Sequence, residues 1–158
     1  MTRNPELLTA EKVIIKNEFG KEEGMVVQRY MAKPFLIDGF KFDLRLYVLI
    51  VGINPLRLYL YKDGLARFAT VKYQTPNNKN LDNMCMHLTN YAINKESDDF
   101  IPNNDEERDD IGSKRSFAFV LQYVTDHFGK ESRDLLVSQI KDILIKNITL
   151  SLHLKYLS

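Results

Sequence analysis

Lys41, Asp43 and Arg45 alternate with Phe42, Leu44 and Leu46, and the apolar alternation runs on through Val48 and Ile50. Successive side chains of a strand point to opposite faces, so the three charged groups share one face while the apolar ones enter a core. A cation, an anion and a second cation on a half-buried strand must be paired or must bind something, because desolvated charge is costly. The plainer alternative is an edge strand whose polar face is open to water. Downstream, Leu56, Leu58 and Leu60 alternate with Arg57, Tyr59 and Tyr61, and Lys62-Asp63-Gly64 reads as a hairpin loop. A three-residue loop with Gly64 in the left-handed region sets Tyr59 across from Arg67, Leu58 across from Phe68 and Leu60 across from Ala66. That register predicts one surface carrying Arg57, Tyr59 and Arg67.

The elements that must position these groups follow from the flanking sequence. Val26 and Val27 predict a short buried strand ending near Gln28, with Pro34 forcing Lys33 away from helix. Before it, Leu7, Leu8, Val13, Ile14 and Ile15 suggest a short element, and Gly20 and Gly24 bracket a charged turn. Strands are expected over 41–51, 56–61 and 67–73, the first two joined by the turn residues Gly52-Ile53-Asn54-Pro55. The stretch 74–81 reads as loop. Thr89 and Asn90 then offer a hydroxyl and an amide, suited to sugar or phosphate oxygens and equally to capping a turn. Residues 96–110 hold eight acids and little to bury, which predicts a solvated, mobile loop without the pattern of a calcium-binding loop. From Ser113 the period becomes helical: Phe117, Val120, Leu121, Val124 and Phe128 share a face that Gly129 can end. A second helix is expected from near Ser132, with Leu136, Ile140, Ile143, Leu144 and Ile148 inward.

At 158 residues the chain is one domain's worth, with 44% hydrophobic and 27% charged residues, ordinary for a globular protein. The lone Cys85 forms no internal disulfide and reads as a small buried hydrophobe. His87, His127 and His153 lack partners at ligand spacing and read as structural, so no metal ligands are expected among them. No apolar run reaches the roughly 18 residues of a membrane span, and the charged N-terminus does not read as a secretory signal, so a cytosolic protein without membrane contact is expected. Net charge is only +1, divided as 13 basic against 8 acidic groups over residues 1–80 and 9 against 13 over residues 81–158. A basic first half suits an anionic partner. The modest excess and the lack of any RNA-binding signature argue against nucleic acid, although Arg57, Tyr59, Tyr61 and Arg67 would make a basic, aromatic sheet face. No Gly-rich phosphate loop occurs, so any phosphate must be held by side-chain cations.

The segments QRYMAKPFLIDGFKFDLRLYVLI, PLRLYLYKDGLARFAT, CMHLTNYAINK and GSK closely resemble the tubulin tyrosine ligase-like family, amino-acid ligases of the ATP-grasp class, and within it the polyglutamylase branch. The likeness covers roughly residues 26–148. It implies an α+β, ATP-grasp-like fold, with a central antiparallel sheet and helices packed against it. It implies a reaction in which ATP phosphorylates a side-chain carboxylate of a tubulin C-terminal tail and free L-glutamate displaces the phosphate, leaving an isopeptide bond. By residue-by-residue carry-over, Gln28, Arg29, Tyr30, Met31, Lys41, Phe42, Asp43, Thr89 and Asn90 are expected around ATP. Arg67, Tyr91 and Lys114 match the positions that hold the free glutamate, and Arg and Lys suit its carboxylates, Arg through a bidentate fork. Arg45, on the strand face of Lys41 and Asp43, is a further catalytic candidate for stabilising transferred phosphate or acceptor carboxylate. The resemblance also implies the cytoplasm and cytoskeleton, extending to the cilium or basal body.

The family's upstream lysine and its Gly-containing phosphate loop, expected before Val26, have no match, and the end NITLSLHLKYLS departs from the pattern that carries the magnesium ligands. The expectation is therefore a partial ligase domain over residues 1–158, incomplete at both ends and inactive alone, with the magnesium ligands outside the chain. A non-catalytic module that binds nucleotide or tubulin tails is the alternative.

Overall fold

The computed structural model describes residues 10–16, 22–102 and 112–157. The chain divides into two compact units, Met1–Pro34 and Phe35–Ser158. The first is an antiparallel pair, β1 (Ala10–Lys16) and β2 (Glu22–Gln28), in which Ala10 faces Gln28 and Lys16 faces Glu22. The strand expected to end near Gln28 does end there, but Val27 is 55% exposed rather than buried. Gly24 lies inside β2; the start of the expected charged turn falls outside the described residues.

The second unit is α+β, the class expected from the sequence. Its sheet has the order β3-β4-β5-β6, every neighbour antiparallel, built from Leu36–Ile37, Phe40–Ile53, Leu56–Phe68 and Lys114–Ser116. Asp38 and Gly39 turn β3 into β4 with φ of 54° and 83°, a two-residue turn that an Asp-Gly pair accommodates because its backbone enters the left-handed region. The long ribbon of β4 and β5 closes at Asn54 and Pro55 alone; Gly52 and Ile53, expected in the connection, lie inside β4, where Ile53 pairs with Leu56.

The hairpin loop expected at Lys62-Asp63-Gly64 is not a loop. β5 runs straight through it, and Gly64 pairs with Leu46 while Leu60 pairs with Val48. Tyr61, Lys62 and Asp63 thus stand opposite the single residue Tyr47, a bulge that absorbs the turn chemistry. The Asp63 carboxylate accepts from the Gly64 N–H at 2.7 Å and from the Ala118 N–H at 3.2 Å, so it stabilises both the bulge and the first turn of a helix. The partners expected for Tyr59, Leu58 and Leu60 are overturned: Tyr59 faces Leu49, Leu58 faces Ile50 and Leu60 faces Val48, while Arg67 faces Asp43. What was expected as a strand over 67–73 is the end of β5 followed by an irregular run, tied down by Ala69 N–H to Lys41 O at 2.9 Å and Tyr73 N–H to Gly39 O at 2.9 Å.

Two short helices, α1 (Met84–His87) and α2 (Tyr91–Asn94), precede β6. The helical period after Ser113 is realised as α3 (Phe117–Phe128), which Ser116 caps by accepting from the Phe119 N–H at 2.9 Å and Gly129 ends at φ 85°. α4 (Lys130–Leu157) follows. Ile140 packs on the core as expected, whereas Ile143 is 58% exposed. Cys85 is half-buried. No described helix is long and apolar enough to cross a membrane.

The core is Ile37, Ala66, Phe68, Phe117 and Val120, with Phe42, Leu44, Leu46 and Ile140 packed against it. It lies on the sheet face that the alternation assigned to Phe42, Leu44 and Leu46. Arg115, across from Ala66, enters the same face with its guanidinium 4.4 Å from the Phe68 ring and 4.8 Å from the Phe119 ring, and it pairs with Asp38 at 2.9 Å. The rings and the carboxylate offset the desolvation of a cation that is nearly buried.

A side chain at Gly64 would meet the Arg45 carbonyl oxygen at 2.5 Å, which forces the ribbon apart at the bulge. Gly64→Ala is expected to lower the unfolding free energy by about 1–3 kcal/mol. The measurement is urea unfolding, where the midpoint falls at unchanged slope; an unmoved midpoint means the ribbon can spread without penalty.

Candidate functional site

On β4 the strand period brings Lys41, Asp43 and Arg45 to one face, away from the core. Directly opposite residues of paired strands share a face, so Arg67 on β5 joins them across from Asp43, and Lys114 on β6 joins them across from Arg67. Four cations and one carboxylate from three strands thus line one side of the sheet. Arg67 and Asp43 form a bidentate pair, with Nε donating to Oδ1 at 2.8 Å and Nη2 donating to Oδ2. This fork holds the guanidinium in plane and raises the Arg67 pKa further above its ordinary value, chiefly through the hydrogen bond to Asp43.

Lys114 stands 3.9 Å above the Tyr91 ring. Arg67, Thr89, Tyr91, Asn94, Phe100 and Lys114 line a small cleft whose enclosed space is about 10 Å³, roughly that of one water. All three residues expected to hold free glutamate are therefore brought together, although Arg67, Tyr91 and Lys114 come from a strand, a helix and a second strand. A cation beside an aromatic face, with a second cation nearby, suits a small dianion whose carboxylates are read separately.

Lys41 donates from Nζ to the His87 carbonyl at 2.7 Å. Burial pushes its pKa below the ordinary 10.5, and the nearby Tyr73 pulls it partly back. His87 is held structurally, with Nε2 2.9 Å from the Asn80 carbonyl and its ring edge-on to Tyr73. Thr89 is buried and Asn90 exposed. Asn90 occupies the N-cap position of α2 but makes no capping bond with its side chain, so its amide is not spent there. Arg45 is exposed across from Leu65. Phe42 is the member of the expected nucleotide set that the sheet turns away: its ring stacks on Phe68 with centroids 5.2 Å apart, and only its backbone borders the cation face. Gln28 ends β2 in the first unit, and Arg29, Tyr30 and Met31 follow it, all exposed.

The sequence reading missed the group that sets the cleft floor. Asn94 is 1% exposed; its Oδ1 accepts from the Thr70 N–H at 2.9 Å and the Thr70 hydroxyl at 3.0 Å, and its Nδ2 donates to the Leu88 carbonyl at 2.8 Å and the Asn90 carbonyl at 3.1 Å. Every polar atom of this amide is satisfied, which fixes Thr89 to Tyr91 against the end of β5. The spacing of Asn90 and Asn94, one helical turn apart, was the available signal. Among the described residues no group of three or more His, Cys, Asp or Glu is placed to hold a metal ion, and Asp43 is already engaged by Arg67. The donor set described here does not fit a resident magnesium ion.

In sequence the chain is similar to several curated proteins. Over 132 residues it is 52% identical to the "Probable beta-tubulin polyglutamylase" of Tetrahymena thermophila, covering 84% of this chain and 11% of the relative. It is 49% identical over 127 residues to "Tubulin polyglutamylase TTLL13" of Mus musculus, covering 80% and 15%, and 46% identical over 132 residues to "Tubulin polyglutamylase TTLL5" of Mus musculus, covering 84% and 10%. The chain thus spans only a small part of the length of these relatives. The family model for the tubulin-tyrosine ligase family, whose fold is ATP-grasp-like, matches residues 7–156. With nearly its whole length matched, this chain belongs to the tubulin-tyrosine ligase family.

Proposed function

We propose that this chain carries the nucleotide-facing and glutamate-binding surfaces of an ATP-dependent tubulin polyglutamylase. The observation that carries the reading is the convergence of Arg67, Tyr91 and Lys114 on one cleft beside the cation face of Lys41, Asp43 and Arg45. In the proposed reaction the γ-phosphoryl group of ATP passes to a side-chain carboxylate of a tubulin tail, giving an acylphosphate and ADP. The amino group of free L-glutamate then attacks the acyl carbon, loses a proton and expels inorganic phosphate, leaving an isopeptide bond.

Lys41 meets the polyphosphate, with Asp43 holding Arg67 in place beside it. Thr89 and Asn90 offer a hydroxyl and an amide to sugar or phosphate oxygens. Gln28, Arg29, Tyr30 and Met31 form the adenine-facing segment of the first unit. Arg45, exposed and next along the face, stabilises charge on the transferred phosphoryl group or the acceptor carboxylate. Arg67 and Lys114 each take a carboxylate of the incoming glutamate, and Tyr91 supplies the wall on which Lys114 rests. Magnesium would supply charge neutralisation between the phosphates, from ligands other than the residues described. The substrate assignment carries with it association with the cytoskeleton, and with microtubules of the cilium or basal body.

A second reading, a module that binds nucleotide or tubulin tails without ligating, draws on the engagement of the Asp43 carboxylate by Arg67. Incubation with ATP, magnesium, glutamate and tubulin separates the two: glutamate incorporation or binding of free glutamate supports the ligase surface, and binding of ATP or tubulin with no binding of free glutamate supports the module.

Lys114→Ala is expected to weaken free glutamate about tenfold, equivalent to roughly 1.4 kcal/mol, and to leave ATP affinity unchanged by calorimetry. Equal glutamate affinity in both proteins removes Lys114 from the site.

Lys41→Ala is expected to weaken ATP by a similar factor of about ten. Because the Lys41 pKa lies below 10.5, the cation is lost as pH rises through that lowered value. ATP affinity should therefore begin to fall before an ordinary lysine would titrate. Lys41→Arg, whose guanidinium stays charged there, should keep a flat profile over the same window. Identical profiles for the two proteins exclude Lys41 as the phosphate cation.

A further inference from the structure

The face that carries the glutamate cleft does not stop at Arg45. Beyond it β4 continues with Tyr47, Leu49 and Val51 on the same side, and β5 supplies Tyr59 across from Leu49 and Leu65 across from Arg45. Tyr47, Leu49, Tyr59 and Tyr61 are each between 51% and 62% exposed, and with Lys62 they line one broad open groove. Arg57 alternates with Leu58 and so shares the side of Tyr59. Arg45, Arg57 and Lys62 are all exposed, and among the described residues no carboxylate pairs with any of them. Asp43 and Asp63 are the nearest acids along the ribbon, and both are engaged, one by Arg67 and the other by the Gly64 and Ala118 N–H groups.

We propose that this exposed face of the β4–β5 ribbon, from Arg57 and Tyr59 through Tyr61 and Lys62 to Arg45, is a docking track for an acidic polypeptide segment that leads to the Arg67–Lys114 cleft. The inference rests on the polyglutamylase reading for the chemistry of its occupant and adds the surface that takes it. Charge complementarity is the argument. Three cations without carboxylate partners are interleaved with three tyrosines, which give an extended peptide apolar contact at little entropic cost and hydroxyls for its backbone. The distance fits as well. From Leu49 to Asp43, the regular strand across from Tyr59 and Arg67, the rise is roughly 20 Å at ~3.3 Å per residue, the reach of about six residues of extended peptide. A segment lying along it would hold several carboxylates over Arg57, Lys62 and Arg45 and deliver one to the cleft. A nucleic acid fits less well, because the chain as a whole carries a net charge of only +1.

The test uses the full chain and a fluorescein-labelled dodecapeptide of alternating Gly and Glu, titrated by anisotropy at low salt, with the Gly-Gln peptide as control. The expected result is saturable binding of the Glu peptide alone, weakened at least fivefold by the R57E/K62E double substitution and by Tyr59→Ser, and weakened by added salt. All three residues are exposed, and circular dichroism with thermal melting establishes that the variants fold. ATP and free glutamate affinities, measured in parallel, are expected to be the same in the variants as in the parent. If the parent chain binds the Glu peptide in this way but neither ATP nor glutamate, the ligase reading fails and the track stands. If ATP and glutamate bind while the Glu peptide binds equally to parent and variants, the track is overturned. Tighter binding of a single-stranded thymidine dodecanucleotide to the same residues overturns it in favour of nucleic acid. A dimer in sedimentation that R57E/K62E dissociates overturns it in favour of a second copy.

Discussion

The pairing of Arg67 with Asp43 across β4 and β5 is the interaction on which the rest of the site depends. An antiparallel ladder that slips by one residue exchanges its two faces, and here such a slip would carry Lys41, Asp43 and Arg45 into the core and Phe42 and Leu44 into solvent. The bidentate fork and the burial of Ala66 and Phe68 behind it favour the same register. Polar and apolar constraints therefore reinforce one another, and the charged face needs no separate device to keep it out of the core.

The bulge at Tyr61 to Asp63 reconciles that register with a long ribbon. Two extra residues, an even number, leave the faces unchanged, where an odd number would have exchanged them. With them, the core half of the ribbon and its outer half keep the same faces although their pairing differs by two positions. Asp63 is what makes the irregularity permanent, since its carboxylate is committed to the bulge and to the start of α3 at once. Gly64 is required there by close approach to the neighbouring strand and not by an unusual backbone angle.

The cleft is held together by contacts within the chain. Asn94 joins the end of β5 to the segment carrying Thr89, Asn90 and Tyr91, and the Lys41 ammonium reaches the His87 carbonyl, so the loop after β5 is anchored to the sheet at two places. Arg115 does the corresponding work behind β6, bridging to the Asp38 turn between two aromatic rings. Its neighbour Lys114 is thereby held on the opposite face, above Tyr91. Adjacent residues of one short strand thus divide the labour, one securing the sheet and the other lining the cleft.

Local pattern was enough for much of this. Period-two alternation identified β4, its charged face and its core face, and period 3.6 identified α3 and its ending at Gly129, because both depend only on which side chains must leave water. The motifs also marked Arg67, Tyr91 and Lys114 together. Turn chemistry misled at Lys62-Asp63-Gly64, because the same residues satisfy a hairpin loop and a bulge, and only the partner strand decides between them. The inward assignment of Ile143 erred for a related reason: α4 is longer than the core it meets, so an apolar period can outrun the surface available to bury it. The alternation by itself determined that Lys41, Asp43 and Arg45 share a face. That Asp43 is paired with Arg67, that Lys114 reaches Tyr91 and that Asn94 ties the cleft together was decided only by the tertiary structure, since each joins residues brought near by strand pairing and loop packing rather than by their spacing along the chain.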